Sequence, residues 1–327
     1  LKNKELIYKI LKEKGSARIP ELLEKKDLSR QMMHRILLQL IEEGKVKKAG
    51  RAPKTYYSLV EETPPVYHSA QALDPEKEEF MQKHFFLVTE LGQRLNGIEA
   101  MAFWCNRQKL PLEKTIDEYI ATRKKYLQHY NSAGLIPGME KLLNTKAFSA
   151  IGPDELYYLD FYAIERFGKT KLGTLLHFAK QGQNKKLMQE LFEEIKPTLY
   201  TMIRQNKIDS VGFIPPTIKR EVQLMGYMEK QLNLPLPHFK IVKINGEIVV
   251  PQKALSRIED RIANAKASLV PADPKQFKHL LLIDDAVGSG ATINETALKI
   301  KHRNPKIKIT GLAITGSYKG FEVIQEV

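Results

Sequence analysis

The sequence has a single cysteine, Cys105, among its 327 residues. An intramolecular disulfide is therefore excluded, and no Cys/His set has the spacing of a zinc site. No apolar run reaches the 18 residues that a membrane span needs, and the first fourteen residues mix five Lys with two Glu at helical spacing, unlike a signal peptide. These absences predict a cytoplasmic protein with no membrane partner. Internal repeats and low-complexity tracts are lacking as well. Acidic residues are in deficit: 38 Asp+Glu against 52 Lys+Arg leave a formal charge of +14, which points to a polyanionic partner. With 43% apolar and 28% charged residues, collagen-like, purely coiled-coil and mostly disordered chains are excluded. The length suits two or three domains.

The excess charge is concentrated at the start. Residues 1–60 hold fifteen Lys+Arg and seven Asp+Glu, a net of +8. A first helix is predicted over Lys2–Lys14, with Leu6, Ile7, Ile10 and Leu11 on one face and Gly15 as its stop. Pro20 suits the first turn of a short second helix reaching Glu24. Ser29 can cap a third, Arg30–Glu43, in which Met32, Met33, Ile36, Leu37, Leu40 and Ile41 form an apolar stripe, leaving Arg30, Gln31, His34, Arg35 and Gln39 opposite. Lys45–Lys48 and Lys54–Val60, joined by a turn at Gly50–Pro53, read as a two-stranded ribbon. This order of three helices and a ribbon resembles the winged helix-turn-helix family, whose third helix enters the DNA major groove. DNA is the partner implied, with Arg30, Gln31, His34 and Arg35 able to read base edges. Lys45, Lys47, Lys48, Arg51 and Lys54 can neutralise phosphates.

Thr63-Pro64-Pro65 and Asp74-Pro75 mark residues 61–75 as a linker. From Glu76 to about Asn144 the pattern is helical, with Phe80, His84, Phe85, Phe86, Leu91, Leu95, Ile98, Phe103 and Trp104. Residues 76–150 are expected to form a helical connector whose aromatics fill a core. The Arg123-Lys124-Lys125 run is expected on a solvated face.

Residues 278–300 carry the chemistry. The continuous apolar run Leu280–Ile283 fits a buried parallel strand, and ligands of open α/β sheets bind beyond strand C-termini. Asp284 and Asp285 follow, placed to accept hydrogen bonds from vicinal hydroxyls of a sugar. Gly288, Ser289 and Gly290 then let backbone N–H groups turn around a phosphate, with Ala291 and Thr292 opening a helix whose N-terminus adds partial positive charge. Thr292 and Glu295 fit a capping box.

Strand, acidic pair, small-residue loop and helix in this order resemble the phosphoribosyl-diphosphate (PRPP) signature of type I phosphoribosyltransferases. The resemblance extends to their ComF-like branch over about residues 155–327. There a helix carrying a Lys and a Gly, matched by Leu175–Gly182 with Lys180, leads into a long helix, here Lys185–Arg204. The strand Ile208–Pro216 follows, and the resemblance places Thr217, Lys219 and Arg220 near the diphosphate. Phe239–Ile244 and Ile248–Val250 flank Asn245-Gly246, a hairpin signal. The family's flexible catalytic hood is matched by Gln252, Leu255, Arg261 and Asn264. The chain departs from the family at three points. It lacks the four-cysteine zinc module common in the branch. Met225-Gly226-Tyr227-Met228 stands where Arg-Gly-Phe-Asn is usual, and Gly288-Ser289 where two Thr are frequent.

The fold class implied is multidomain: residues 1–60 a winged helix, 61–75 a linker, 76–150 a helical connector, and 151–327 an α/β phosphoribosyltransferase-like domain with a mostly parallel sheet. The ligand implied is PRPP or a related nucleotide, with Mg bound through PRPP and no protein-only metal site. If the site is catalytic, Asp284 and Asp285 carry the displacement of pyrophosphate at the anomeric carbon. Three readings stand. The first is a DNA-binding regulator that senses PRPP or a nucleotide, similar in layout to bacterial purine repressors, acting as a homodimer on a palindromic site. The second is an active PRPP-dependent transferase. The third is a retron-type anti-phage effector working with a reverse transcriptase and its DNA product.

Overall fold

The structure is a computed structural model that describes residues 2–24, 28–43, 45–50, 55–59, 74–216, 218, 220–244, 250, 254–272, 274 and 276–317. It divides into two compact units, Leu1–His68 and Ser69–Val327.

In the first unit, α1 (Lys2–Lys14) buries Ile7, Ile10 and Leu11 at helical spacing, and Gly15 follows with φ +72°. A short strand β1 (Ser16–Ala17) precedes α2 (Ile19–Leu23), which has Pro20 in its first turn. Helix α3 (Arg30–Glu42) starts at Ser29, whose Oγ accepts from the Met32 N–H at 3.2 Å. Strands β2 (Val46–Ala49) and β3 (Tyr56–Leu59) pair antiparallel. The ribbon is not two-stranded as expected, because β1 joins the free edge of β3 and gives the order β1-β3-β2. A two-residue strand is too short to leave an alternating pattern in sequence. Within the expected stripe of α3, Met33, Ile36, Leu37 and Leu40 are buried, while Met32, one position off that spacing, is 45% exposed.

The second unit begins with α4 (Pro75–His84), β4 (Phe86–Val88), β5 (Arg94–Asn96), α5 (Gly97–Gln108), α6 (Leu112–Leu127), β6 (Ile136–Pro137) and α7 (Met139–Leu143). This stretch is not purely helical. Strands β4 and β5 form a hairpin, and β6 pairs antiparallel with the central sheet. Each is only two or three residues long, and their apolar residues merge into the surrounding helical pattern. Most of the aromatics do line a core, with Phe85 and Phe86 buried and Phe80, Phe103 and Trp104 packed at its margin; Leu91 is exposed.

The rest of the unit runs β7 (Glu155–Phe161), β8 (Ala163–Ile164), β9 (Gly168–Lys169), α8 (Lys171–Gly182), α9 (Lys185–Gln205), β10 (Ser210–Phe213), α10 (Leu224–Leu232), β11 (Ile241–Lys243), α11 (Ile258–Ser268), β12 (Leu269–Pro271), β13 (His279–Val287), α12 (Ala291–Arg303) and β14 (Lys308–Gly316). The central sheet has the order β10-β13-β14-β7-β6, parallel except for β6. Leu280–Ile283 is buried on both faces, as a parallel strand between helices requires. Leu281 and Ile283 pack with α8, α9 and α10 on one side. Leu280 and Leu282 pack with α12 on the other. Strand β11 pairs with β12, although the Asn245-Gly246 turn suggested a partner at Ile248–Val250. That turn lies outside the described residues, as do most of the 61–75 linker and the last ten residues.

Candidate functional site

The C-terminal end of β13 holds the acidic pair expected from the sequence. Asp284 and Asp285 are near the end of β13, and the Asp285 N–H donates to Asp284 Oδ1 at 2.8 Å. Burial, with the neighbouring charge of Asp285 second, pushes the Asp284 carboxyl up to about 7. Two ammonium groups oppose that shift. Lys180, near the C-terminal end of α8, is bonded to Asp285 Oδ2. Lys243, the last residue of β11, is half-buried; burial lowers its pKa, and the Asp284 charge acts against that lowering. The resemblance marks Lys180, whereas nothing in the sequence marks Lys243, which reaches the site through the pairing of β11 with β12.

The end of α8 also organises the segment after β10. Arg220 donates to the Lys180 carbonyl and, at 3.0 Å, to Gln181 Oε1. The Val222 N–H donates to Gln183 Oε1 at 2.9 Å. Arg220 is thus held at the C-terminal end of α8, the helix whose Lys180 is bonded to Asp285, while Thr217 and Lys219 lie outside the described residues. Of the expected hood, Arg261 and Asn264 are on α11. Arg261 Nε donates to the Leu255 carbonyl at 2.6 Å, and Asn264 Nδ2 to the Val250 carbonyl at 3.1 Å. These bonds tie both residues to the segment leading into α11. Gln252 lies outside the described residues.

Beyond Asp285 the chain turns through Gly288 and Ser289 to Gly290, which has φ +80° and is the N-cap of α12. The left-handed conformation favours glycine. A Cβ there would also be 2.3 Å from Leu142 Cδ2, a terminal methyl of α7 that would have to shift. The Ala291 N–H contacts Ser289 Oγ at 3.4 Å, and Thr292 is partly exposed in the first turn. The helix does begin at the loop, but not through a Thr292–Glu295 capping box. Glu295 is buried, where Oε1 accepts from Asn294 Nδ2 at 3.1 Å. Its carboxylate is drawn to a polar partner inside the fold that the motif spacing does not reveal.

Arg123 corrects the expectation of a solvated face. It is 5% exposed and makes a bidentate pair with Asp160, at 2.8 and 2.9 Å. Tyr130 Oη donates to the same carboxylate at 2.5 Å. Asp160 is on buried strand β7, and its charge draws the guanidinium inward.

In the first unit, Arg30, Gln31, His34 and Arg35 share the exposed side of α3. Lys45 and Lys48 are exposed and Lys47 half-buried, with Lys45 Nζ 3.0 Å from Glu43 Oε2. Arg51 and Lys54 lie outside the described residues. No helix among the described residues is long and apolar enough to cross a membrane, and no group of three or more His, Cys, Asp and Glu among them could hold a metal ion. No protein-family model matches the chain, and no curated protein is significantly similar to it.

Proposed function

We propose that the chain is a DNA-binding regulator whose second unit binds PRPP or a related nucleotide on a type I phosphoribosyltransferase fold, and whose first unit is a winged helix. One observation carries this reading. At the end of a buried parallel strand, Asp284 and Asp285 stand directly before a loop whose left-handed Gly290 opens α12, with Lys180 bonded to Asp285. Backbone N–H groups and the α12 N-terminus suit a phosphate. The carboxylates suit ribose hydroxyls, and Lys180 and Arg220 suit a diphosphate.

The donor set fits magnesium arriving with the ligand, because two adjacent carboxylates, one resisting ionisation, gain from a nearby cation. Bound there, magnesium supplies positive charge beside the diphosphate. Arg30, Gln31, His34 and Arg35 would read bases, with Lys45, Lys47 and Lys48 on phosphates. A palindromic site would call for a homodimer.

Calorimetry with PRPP and Mg²⁺, with pyrophosphate followed in the same sample, tests the reading. Binding without release is expected, together with a DNA affinity that changes at least fivefold when PRPP is added. A chain that does not bind PRPP overturns it. Arg30→Ala should relax sequence preference; equal loss on every DNA sequence would remove the base-reading role.

Asp284 favours a second reading, phosphoribosyl transfer, because a carboxyl with a pKa of about 7 can exchange a proton near neutrality. In that reaction the bond from the anomeric carbon to the diphosphate oxygen breaks, and the diphosphate leaves with the electron pair. A new bond forms from the acceptor to the same carbon. Pyrophosphate release that survives Asp285→Asn unchanged would exclude it.

A further inference from the structure

We propose that Lys141 is a further binding residue, whose ammonium contacts the phosphomonoester of a sugar phosphate or 5′-nucleotide held against the loop Gly288–Thr292. The inference rests on the phosphate-loop reading above.

Three contacts fix α7 beside that loop. Lys141 Nζ donates to the Ser317 carbonyl at 2.7 Å and to Ser317 Oγ. The Ser317 N–H donates to the Val287 carbonyl at 3.2 Å, and Val287 is the residue before Gly288. The next residue of α7, Leu142, occupies the space that a side chain at Gly290 would need. Lys141 therefore stands beside the loop, at the end of β14, while Lys180 is held by Asp285 at the end of β13.

The electrostatics distinguish Lys141 from the ion-paired lysines of this unit. Lys180 is paired with Asp285, Lys77 with Asp117, Lys301 with Asp154 and Lys308 with Glu155. Among the described residues, Lys141 has the neutral oxygens of Ser317 as its hydrogen-bond partners, and the face of the Tyr158 ring 5.8 Å away. Its pKa is lowered to about 8 by burial alone, with no carboxylate opposing the shift. A half-buried cation without a counter-charge is costly, and an anion beside it offsets that cost. The adjacent N–H groups and the N-terminus of α12 attract an anion to the same place. A doubly charged phosphate satisfies both.

The test uses the full chain. Ribose 5-phosphate and adenosine 5′-monophosphate are titrated by calorimetry into wild type, Lys141→Met and Lys141→Arg, and the two ligands separate the sugar-phosphate source from the nucleotide source. For whichever binds wild type, Lys141→Met should weaken affinity at least tenfold, and Lys141→Arg should stay within threefold of wild type. Lys141→Met with wild-type affinity would assign the lysine to holding Ser317 and overturn the proposal. If wild type binds neither ligand the proposal fails, and a PRPP titration of the same preparation shows whether the site reading fails with it.

Amine labelling of wild type, read by mass spectrometry, needs no variant to fold. Saturating ligand should slow modification of Lys141 at least tenfold and leave exposed Lys48 unchanged. Equal labelling of Lys141 with and without ligand would also overturn the proposal.

Discussion

Asp284 sits where burial and charge conflict, and this makes it the residue whose removal has the clearest pH signature. The folded protein holds its proton up to about pH 7, whereas the unfolded chain releases it near the ordinary value of 3.8. Its favourable contribution is therefore complete below about pH 4 and is lost as pH rises through about 7. Asp284→Asn keeps an oxygen for the Asp285 N–H and cannot ionise. The melting temperature of Asp284→Asn relative to wild type should rise between pH 4 and 7 and level off above. A flat difference would mean that the carboxyl ionises normally. Arg123 presents the converse case, a buried charge with its partner in place. Asp160→Asn strands the guanidinium and should cost about 3–5 kcal/mol in urea unfolding. The double variant Arg123→Met/Asp160→Asn should lose less than the two single losses added, because it leaves no buried charge. Strict additivity would contradict the pairing. Nothing near Arg123 in the sequence announces this role, since its partner is on a strand 37 residues away.

At the scale of elements, legibility follows from how local the determining physics is. Helices α1 and α3 are readable from an apolar stripe together with a local stop or cap such as Gly15 or Ser29, whereas α8 and α9 are expected only from the family resemblance. The buried strand β13 and its loop are readable because strand, acids and glycines are contiguous. Strands β1, β4, β5 and β6 are not, because two or three residues carry no period. The β11–β12 pairing is long-range and has no local mark, so Lys243 was not legible as a site residue. Lys141 was not legible for the same kind of reason: α7 meets the loop only through tertiary packing. That contact is testable at Gly290. Gly290→Ala places a Cβ in a left-handed conformation and against Leu142, and should cost about 1–3 kcal/mol of stability. It should also weaken ribose 5-phosphate binding, as melting and calorimetry on one preparation would show. An Ala variant as stable as wild type would refute the close approach of α7.

At the scale of the molecule, the two units have separate means of stability. The first is held by Ile7, Ile10, Leu11, Leu22, Met33, Leu37 and Leu40 packed with Val46 and Tyr57, all within residues 1–68. The second is held by cores on both faces of its sheet, where Phe192 on α9 is 1% exposed. No residue belongs to both sets, so each unit should unfold on its own account and differential scanning calorimetry should record two transitions. Ser29→Ala removes the cap of α3, at a cost of about 1 kcal/mol. In a unit of this size that lowers one transition by about 4–8 °C. Phe192→Ala leaves a cavity costing about 3–5 kcal/mol and should lower the other transition by roughly 10 °C. Neither variant should move the transition of the unit it does not touch. A single transition shifted by both would show that the units unfold together; a ligand at Asp284–Asp285 could then act on α3 through shared stability. Two independent transitions would require any such coupling to arise when DNA or a second copy of the chain is bound.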